Sequence, residues 1–237
     1  MTDKAEKGIT LIELLVAIAI VGIISVLVAP EIGRFRSNYN ARSCATDLIQ
    51  YMRVARAMAI KENREYLIVF HMAGNPSAAI NPQGRYLIGF DGDGDDDLIT
   101  VDFDTFGICN DADGDRLPNG DALVNGVPSC VRVVNLAACG NNIIFGYATG
   151  ITPPTNPPND LVPPPNSGIT FSGTPPTAQF DADGSMDKLG SVYFQQTTRG
   201  YSYCVIISNN AGATNMWKWN GDANNLNPPL PAWTEIR

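Results

Sequence analysis

Three segments of the chain place several carboxylates beside turn-forming residues, a combination that can bind a metal ion. The carboxylates are Asp91, Asp93, Asp95 and Asp97; Asp111, Asp113, Asp115 and Asp121; and Asp181, Asp183 and Asp187. Calcium is coordinated by about six to eight oxygen atoms, and alternating Asp residues in a glycine-containing loop can direct several of them at one point. Asp and Gly are also common turn residues without any ion. Calcium sites and plain solvated turns are therefore both open interpretations.

Glu13 is the one charged residue in an apolar run from residue 9 to residue 30, which directly follows Gly8. The run has the length of a membrane-spanning helix. A carboxylate inside a membrane is energetically costly and usually functional. A secretory signal peptide would have its cleavage site after the apolar core, and a plain anchor would explain neither Gly8 nor Glu13.

The arrangement of Gly8, Ile9 and Glu13 resembles the class III signal of type IV prepilins and pseudopilins. The resemblance implies that prepilin peptidase cleaves after Gly8 and methylates Ile9, although Phe is usual at this first mature position. It also implies that Glu13, the fifth mature residue, neutralises the N-terminal amine of a neighbouring subunit during assembly. Pro30 lies where pilin helices commonly carry a proline, which either kinks the helix or ends the span.

Composition restricts the class of protein. The net charge of -8 argues against binding to nucleic acid through a general electrostatic field. The 22 glycines, the 17 prolines and a charged fraction of only 17% are typical of a loop-rich β domain. His71 is the only histidine and lies in an apolar segment, and no nucleophile or phosphate-binding motif is present. We therefore expect no enzymatic activity.

Five cysteines are present, and Cys109, Cys130, Cys139 and Cys204 lie in the part that we expect to be exported. Disulfides persist in such compartments. Four cysteines allow three pairings; we favour Cys109–Cys130 with Cys139–Cys204, because the first pair would close the acidic insert. We expect Cys44 to be a small core residue.

Periodicity predicts an α+β fold, and the resemblance implies that this fold is pilin-like, with a long N-terminal helix packed on an antiparallel β-rich domain. Apolar residues recur every three to four positions over residues 38–63, which indicates an amphipathic helix. Strands are expected at 66–72, 85–90, 98–103, 131–134, 143–147, 169–171, 191–195 and 201–208, and the alternating Trp217 and Trp219 indicate a late strand. We divide the chain into a leader (1–8), a transmembrane and assembly half of the helix (9–37), an amphipathic half (38–65) and an antiparallel β-rich domain (66–237) with inserts at 92–130 and 148–168.

Three stretches resemble the minor pseudopilins of the GspH/FimT type. Residues 45–65 are similar to their helix motif D-L-x-x-x-x-R-x-A-R-x-x-A-I-x-x-N, residues 84–91 to their G-W-x-V-F-x-D strand, and residues 190–212 to their closing hairpin. Tyr86 replaces the usual Trp. The resemblance implies a minor subunit that primes assembly near the tip of a type IV pilus or a type II secretion pseudopilus.

The resemblance also implies partners and a location. The partners are prepilin peptidase, other pilins and the inner-membrane assembly platform. The protein would cross the inner membrane once, keep its C-terminal domain in the periplasm and then enter the filament. The alternative is a tip adhesin or ligand-binding minor pilin that uses the two inserts, since binding sites are commonly built on loops.

If the acidic segments bind calcium, the ion will stabilise the folded state. At a calcium concentration of 100 times the Kd, the expected stabilisation is about 2.7 kcal/mol. Calorimetry with calcium, with magnesium and with a chelator measures it, magnesium serving as the control for a smaller and more rigidly coordinated ion. Identical melting curves in all three conditions would rule out the calcium interpretation.

Overall fold

The computed structural model describes residues 10–72, 83–90, 123–124, 127–128, 130–147, 168–173, 175–186, 188–221 and 232–236, with the backbone alone at residues 27–30, 123–124 and 127–128. In chain order the elements are α1 (Leu11–Glu62), β1 (Tyr66–His71), β2 (Arg85–Gly89), β3 (Leu123–Val124), β4 (Val127–Pro128), β5 (Cys130–Asn135), α2 (Leu136–Cys139), β6 (Ile143–Phe145), β7 (Thr177–Phe180), β8 (Gly190–Gln196), β9 (Ser202–Ile207), β10 (Thr214–Trp219) and β11 (Trp233–Ile236). The predicted strand at 98–103 lies outside the described residues. The predicted strand at 169–171 is wrong, because that segment forms only an isolated bridge between Ile169 and Val192.

The long helix α1 begins and ends at residues suited to those positions. Thr10 is the N-cap and forms a reciprocal capping box with Glu13. The helix stops at Asn63, whose backbone is left-handed (φ 53°, ψ 46°) and whose N–H donates to the carbonyl of Ala59. Asparagine adopts this conformation more readily than most residues, which makes it a suitable C-terminal cap.

Helix α1 bends by 42° between Leu11–Val26 and Glu31–Glu62. Pro30 lies in this interval. A proline inside a helix removes one backbone hydrogen bond and is a common cause of a sharp bend. Because the helix continues to Glu62, Pro30 kinks it and does not end it.

The two halves of α1 have opposite surroundings. Every described residue from 10 to 26 is exposed, although most are apolar. Beyond residue 40 one face is buried, and the predicted periodicity is confirmed. The buried residues are Ala41, Cys44, Ala45, Leu48, Ile49, Met52, Ala55 and Ala59.

Two antiparallel sheets support the buried half of α1. The first has the order β5-β2-β1-β7 and the second the order β11-β10-β9-β8-β6, while β3 and β4 pair as a short separate hairpin. One continuous core combines the helix face with side chains of both sheets. The α+β class, with a long N-terminal helix packed on an antiparallel β domain, is therefore confirmed.

Aromatic rings fill the centre of this core around Phe70 of β1. The Phe70 ring stacks on Phe171 at 5.8 Å between centroids and meets the edge of Phe145 at 5.9 Å. Tyr86 of β2 lies 6.1 Å away and takes the position where the related motif has Trp. Aromatic pairs at these distances add about 0.5–1.5 kcal/mol each beyond the apolar area that they bury.

The faces of the sheets turned away from α1 are also buried. On the second sheet, Tyr193, Cys204, Ile206, Trp219 and Trp233 form a separate cluster, against which Trp217 packs partly buried. The alternating tryptophans therefore belong to a strand, as predicted, and they form part of an internal cluster. On the first sheet, a smaller cluster combines Val69, Leu87, Cys130 and Val133.

Four strands were not predicted from the sequence: β3, β4, β7 and β11. β7 directly follows Pro176, and prolines favour turns over strands. A proline just before a strand is nevertheless harmless, because it lacks only a donor. The carbonyl of Pro176 accepts a hydrogen bond from the N–H of Phe70 at 3.0 Å, which brings this segment beside β1.

The small residues of α1 allow close packing on the sheets. We expect Ala55→Leu, at a fully buried position, to lower the free energy of unfolding by about 1–3 kcal/mol, since extra methylene groups overpack a dense core. The control is Ala57→Leu, two residues along the helix and exposed, with an expected effect within about 0.5 kcal/mol. Denaturant unfolding measures both. Equal effects would contradict the observed orientation of the helix.

Candidate functional site

Glu13 lies in the first turn of α1, where Thr10 holds its carboxylate. The backbone N–H and the hydroxyl of Thr10 both donate to Oε2 of Glu13, each at 2.9 Å, and the N–H of Glu13 donates back to Oγ1 of Thr10 at 3.3 Å. These hydrogen bonds stabilise the charged carboxylate of Glu13 beside an apolar surface. They hold it at the N-terminal end of the helix, which favours negative charge. Gly8 and Ile9 lie outside the described residues.

The helix surface around and beyond Glu13 is apolar on all sides. Its exposed large side chains include Ile12, Val16, Ile20 and Ile24. A helix that is apolar all round is stable in a membrane or inside a bundle of helices. Within the described part of the chain, no single unbroken helix is long and apolar enough to cross a membrane, whereas Leu11–Val26 and Glu31–Glu62 taken together meet the length and composition requirements.

A disulfide joins α1 to the connection between the two sheets. Cys44 bonds to Cys139 at the end of α2, with 5.5 Å between the Cα atoms. Gly140 has φ +146°, and a Cβ atom there would lie 2.3 Å from Nδ2 of Asn40. The glycine therefore allows α2 to approach α1, and Asn40 and Cys44 are one helical turn apart, so they face α2 together.

This bond corrects two sequence-based predictions. Cys44 is a disulfide partner, and the pairing of Cys139 with Cys204 is wrong. Cys204 is a free, buried cysteine, and it lies among the aromatic residues on the face of the second sheet that points away from α1. Cys139 packs on the opposite side, and the sheet separates the two. Cys130 is disulfide-bonded, and its pairing with Cys109 lies outside the described residues.

A hydrogen bond marks the point where the helix leaves the globular domain. The hydroxyl of Tyr203 on β9 donates to Oδ1 of Asn38 at 2.7 Å. Burial raises the pKa of Tyr203 to about 12, so the hydroxyl keeps its proton under ordinary conditions. Tyr39, which follows Asn38 on the helix, is exposed, and its ring stacks on that of Phe35 with 6.3 Å between the centroids.

The residues of the 45–65 motif have structural roles in this fold. Leu48, Ala55 and Ala59 belong to the buried face, and Asn63 is the left-handed cap. Arg56 donates from Nε to the carbonyl of Gly184 at 2.9 Å. Gly184 has φ +81°, and a Cβ atom there would lie 2.6 Å from Cδ1 of Ile60. Motif residues Arg56 and Ile60 therefore hold the third acidic turn against the helix.

That acidic turn is closed by its own hydrogen bonds. Oδ1 of Asp183 accepts from the N–H of Ser185 at 2.8 Å, and Oδ2 of Asp181 accepts from the hydroxyl of Ser185 at 3.0 Å. Hydrogen bonding from the hydroxyl and from the backbone N–H of Ser185 lowers the pKa of Asp183. Among the described residues no group of three or more acidic, cysteine or histidine side chains is placed to hold a metal ion. Asp187 and the segments 91–97 and 111–121 lie outside the described residues, so calcium binding stays a prediction.

The corner between α1 and β1 is held by a charged and aromatic cluster. The hydroxyl of Tyr66 donates to Oε2 of Glu62 at 2.8 Å, and Arg64 forms an ion pair with the same carboxylate. The guanidinium carbon of Arg64 lies 3.3 Å from the centre of the Phe90 ring, a cation–π contact. Burial, reinforced by the bond to Glu62, raises the pKa of Tyr66 to about 12.

Several of these functional contacts were not recognised in the sequence. The spacing Thr-x-x-Glu before an apolar run is the usual sign of a capping box and could have identified the Thr10–Glu13 pair. The position of Cys44 on the buried face of a helix that we expect to be exported could have identified it as a disulfide candidate. Nothing local in the sequence relates Asn38 to Tyr203, which are 165 positions apart.

Comparison with known proteins found one family model that matches the N-terminal segment. Residues 3–29 match the family model for the prokaryotic N-terminal methylation motif. No curated protein sequence and no solved structure matched the chain. The matched segment contains Gly8, Ile9 and Glu13 and runs into the exposed half of α1. The N-terminal segment is thus of the type IV prepilin and pseudopilin type. The chain is a pilin-like protein processed by prepilin peptidase.

Removal of the disulfide will test the join between α1 and α2. We expect Cys44→Ala with Cys139→Ala to lower the free energy of unfolding by roughly 2–5 kcal/mol, because the bond closes a long loop. Cys204→Ala is the matched control, because it removes a buried thiol but breaks no disulfide. Peptide mapping under non-reducing conditions provides a direct check. A Cys139–Cys204 peptide would contradict the structure.

The Tyr66–Glu62 bond predicts a stability change at high pH. The raised pKa of Tyr66 means that the folded state binds the phenol proton more tightly than the unfolded state, whose value is about 10. The stabilisation is therefore complete below about pH 10 and is lost as the pH rises toward 12. We expect Tyr66→Phe to weaken this pH dependence, measured by denaturant unfolding between pH 9 and pH 12. The exposed Tyr39→Phe is the control, and equal slopes for the two variants would refute the assignment.

Proposed function

We propose that this protein is a minor pilin or pseudopilin of the GspH/FimT type, which enters a filament through α1 and primes its assembly near the tip. The observation that carries the proposal is the division of one helix into two halves. The C-terminal half is buried against both sheets, while the N-terminal half exposes apolar side chains on every side. Such a surface needs a membrane before assembly and neighbouring helices after it.

The placement of the motif residues supports the GspH/FimT assignment. Four positions of the motif in the 45–65 segment make contacts that this fold uses: Arg56 with Gly184, Ala55 and Ala59 in the core, and Asn63 as the cap. A sequence that matched by chance would have no reason to place all of these residues at contact points. The segments that resemble the family strands also form β2, β8 and β9.

The disulfide supports the proposed orientation. Cys44 and Cys139 lie on the C-terminal side of the apolar segment, and stable disulfides form in oxidising compartments such as the bacterial periplasm. We therefore propose that the globular domain is periplasmic, that the leader faces the cytoplasm and that the inner-membrane assembly platform receives the helix. Because the chain is acidic, a role in binding nucleic acid is not part of this proposal.

Glu13 is the residue that we propose to direct assembly. In the single chain its carboxylate is held by Thr10. In a bundle of helices the N-terminal amine of a neighbouring subunit offers a stronger, charged partner, and a carboxylate left without one in an apolar environment is costly. If the Glu13 carboxylate leaves Thr10 and pairs with this amine, the pairing would place adjacent subunits in register.

We expect Glu13→Ala to insert into the membrane and to be processed but to be lost from sheared filaments, with incorporation reduced at least about tenfold. A lost charged partner of 1.4 kcal/mol or more gives this factor. The control is Glu31→Ala, which removes an exposed carboxylate that pairs with Arg34 at 3.1 Å on the same helix. Immunoblots of filament and membrane fractions give both values, and normal incorporation of Glu13→Ala would refute the assembly role.

Deletion of the gene separates the two machines to which the protein could belong. Lost surface pili with normal secretion would assign it to a type IV pilus, and lost secretion with normal pili would assign it to a type II secretion pseudopilus. If neither changes, the priming role is wrong, and an accessory adhesin that uses the two inserts becomes the better hypothesis.

A further inference from the structure

The segment of α1 that follows Pro30 exposes three large side chains. Ile32, Phe35 and Tyr39 are 61%, 73% and 61% exposed, and the rings of Phe35 and Tyr39 stack on each other. Together with the exposed Arg36 they occupy positions i, i+3, i+4 and i+7, which lie on one side of a helix. These four residues form a surface that we call the 32–39 face.

The globular domain packs on the other side of the helix. Ala41 is the first residue of the buried face, and at 3.6 residues per turn it points nearly opposite to the centre of the 32–39 face. Arg34 lies on the side of Ala41 and pairs with Glu31 at 3.1 Å. Within the described part of the chain, no ion pair involves Arg36. The single chain thus leaves a surface that is both apolar and cationic uncovered.

The 32–39 face lies close to the end of the apolar run. At 1.5 Å per residue, Ile32 and Tyr39 are about 3 and 13 Å along the helix beyond Pro30. The headgroup layer on each side of the hydrocarbon core is roughly 5–8 Å thick. When the first half of α1 stands along the membrane normal, the 42° bend brings the later residues closer to the bilayer. The face is therefore at headgroup depth when the apolar run spans the membrane.

The residue types of the face suit that depth. Tyrosine is enriched where hydrocarbon meets headgroups, because its ring is apolar and its hydroxyl is hydrated. An arginine keeps its aliphatic stem on apolar surface while its guanidinium reaches outward, and it can bind a phosphate through two parallel hydrogen bonds. A cation on the translocated side of a membrane segment works against that orientation. An anionic partner for Arg36 would offset this cost.

We propose that the 32–39 face binds the headgroups of anionic phospholipids in the periplasmic leaflet of the inner membrane. Phe35 and Tyr39 would lie at the edge of the hydrocarbon, and the guanidinium of Arg36 would bind lipid phosphate. The inference rests on the proposed function only in that the apolar run spans the membrane, and it does not require a filament. Binding would hold the globular domain close to the bilayer before assembly.

The test uses the full-length protein in phosphatidylcholine vesicles that contain a minor fraction of phosphatidylglycerol. Bromine on the acyl chains quenches nearby tryptophan, and it is placed either on the phosphatidylglycerol or on an equal amount of the phosphatidylcholine. Phe35→Trp reports on the 32–39 face. Val54→Trp is the control, because Val54 is exposed and lies about 28 Å further along α1. The emission of the native tryptophans, Trp217, Trp219 and Trp233, is subtracted.

We expect the anionic lipid to be preferred beside Phe35→Trp roughly fivefold, which is the effect of one arginine near a charged surface. Val54→Trp should not be quenched by either lipid. Adding Arg36→Gln to Phe35→Trp should remove the preference. The matched control is Arg34→Gln, which removes the same charge from the opposite side of the helix and should keep the preference. Near-UV circular dichroism checks that each variant is folded.

Insertion into the bilayer is measured separately with Ile20→Trp, in the apolar run, which both brominated lipids should quench. Quenching of Ile20→Trp without quenching of Phe35→Trp would overturn the inference and leave the proposed function intact. No quenching of either variant would refute membrane insertion and the inference with it. Equal quenching of Phe35→Trp by the two lipids, or equal effects of Arg34→Gln and Arg36→Gln, would also overturn the inference.

Discussion

The fold depends on the close packing of the small-residue face of α1 against two sheets at once. Ala41, Ala45, Ala55 and Ala59 are fully buried, and small side chains allow the helix backbone to approach the strands closely. Neither sheet forms the core alone, because the continuous core contains residues of both sheets and of the helix. The buried half of the helix therefore organises the domain, and the exposed half extends from a rigid support.

Three contacts fix where this packing begins and ends along α1. Tyr203 binds Asn38 where the helix leaves the domain, the disulfide holds Cys44 to Cys139, and the Glu62–Arg64–Tyr66 cluster turns the chain into β1. They restrain the helix from its entry into the domain to its last turn. The exposed half of α1 is therefore anchored to the sheets through these contacts.

The sequence predicted the parts of this structure that follow local physical rules. The apolar run, the 3.6-residue periodicity of α1 and the continuous apolar strands β1, β8 and β9 all leave a local pattern. The disulfide and β7 were not predicted, for two different reasons. Cys44 and Cys139 are 95 positions apart, and no spacing rule relates them. β7 follows Pro176, and its four residues include Gln179, so hydrophobic pattern and turn chemistry both suggested a loop; pairing with the central strand β1 overrides them.

Assembly through α1 requires an N-terminal prepilin signal whose apolar helix remains in the mature protein. The most direct measurement is mass spectrometry of the N-terminal peptide of the protein purified from its native membranes. A prepilin signal predicts a mature chain that begins at Ile9 and carries one added methyl group on its α-amine. A chain that retains residues 1–8, or one cleaved after the apolar run, would contradict it.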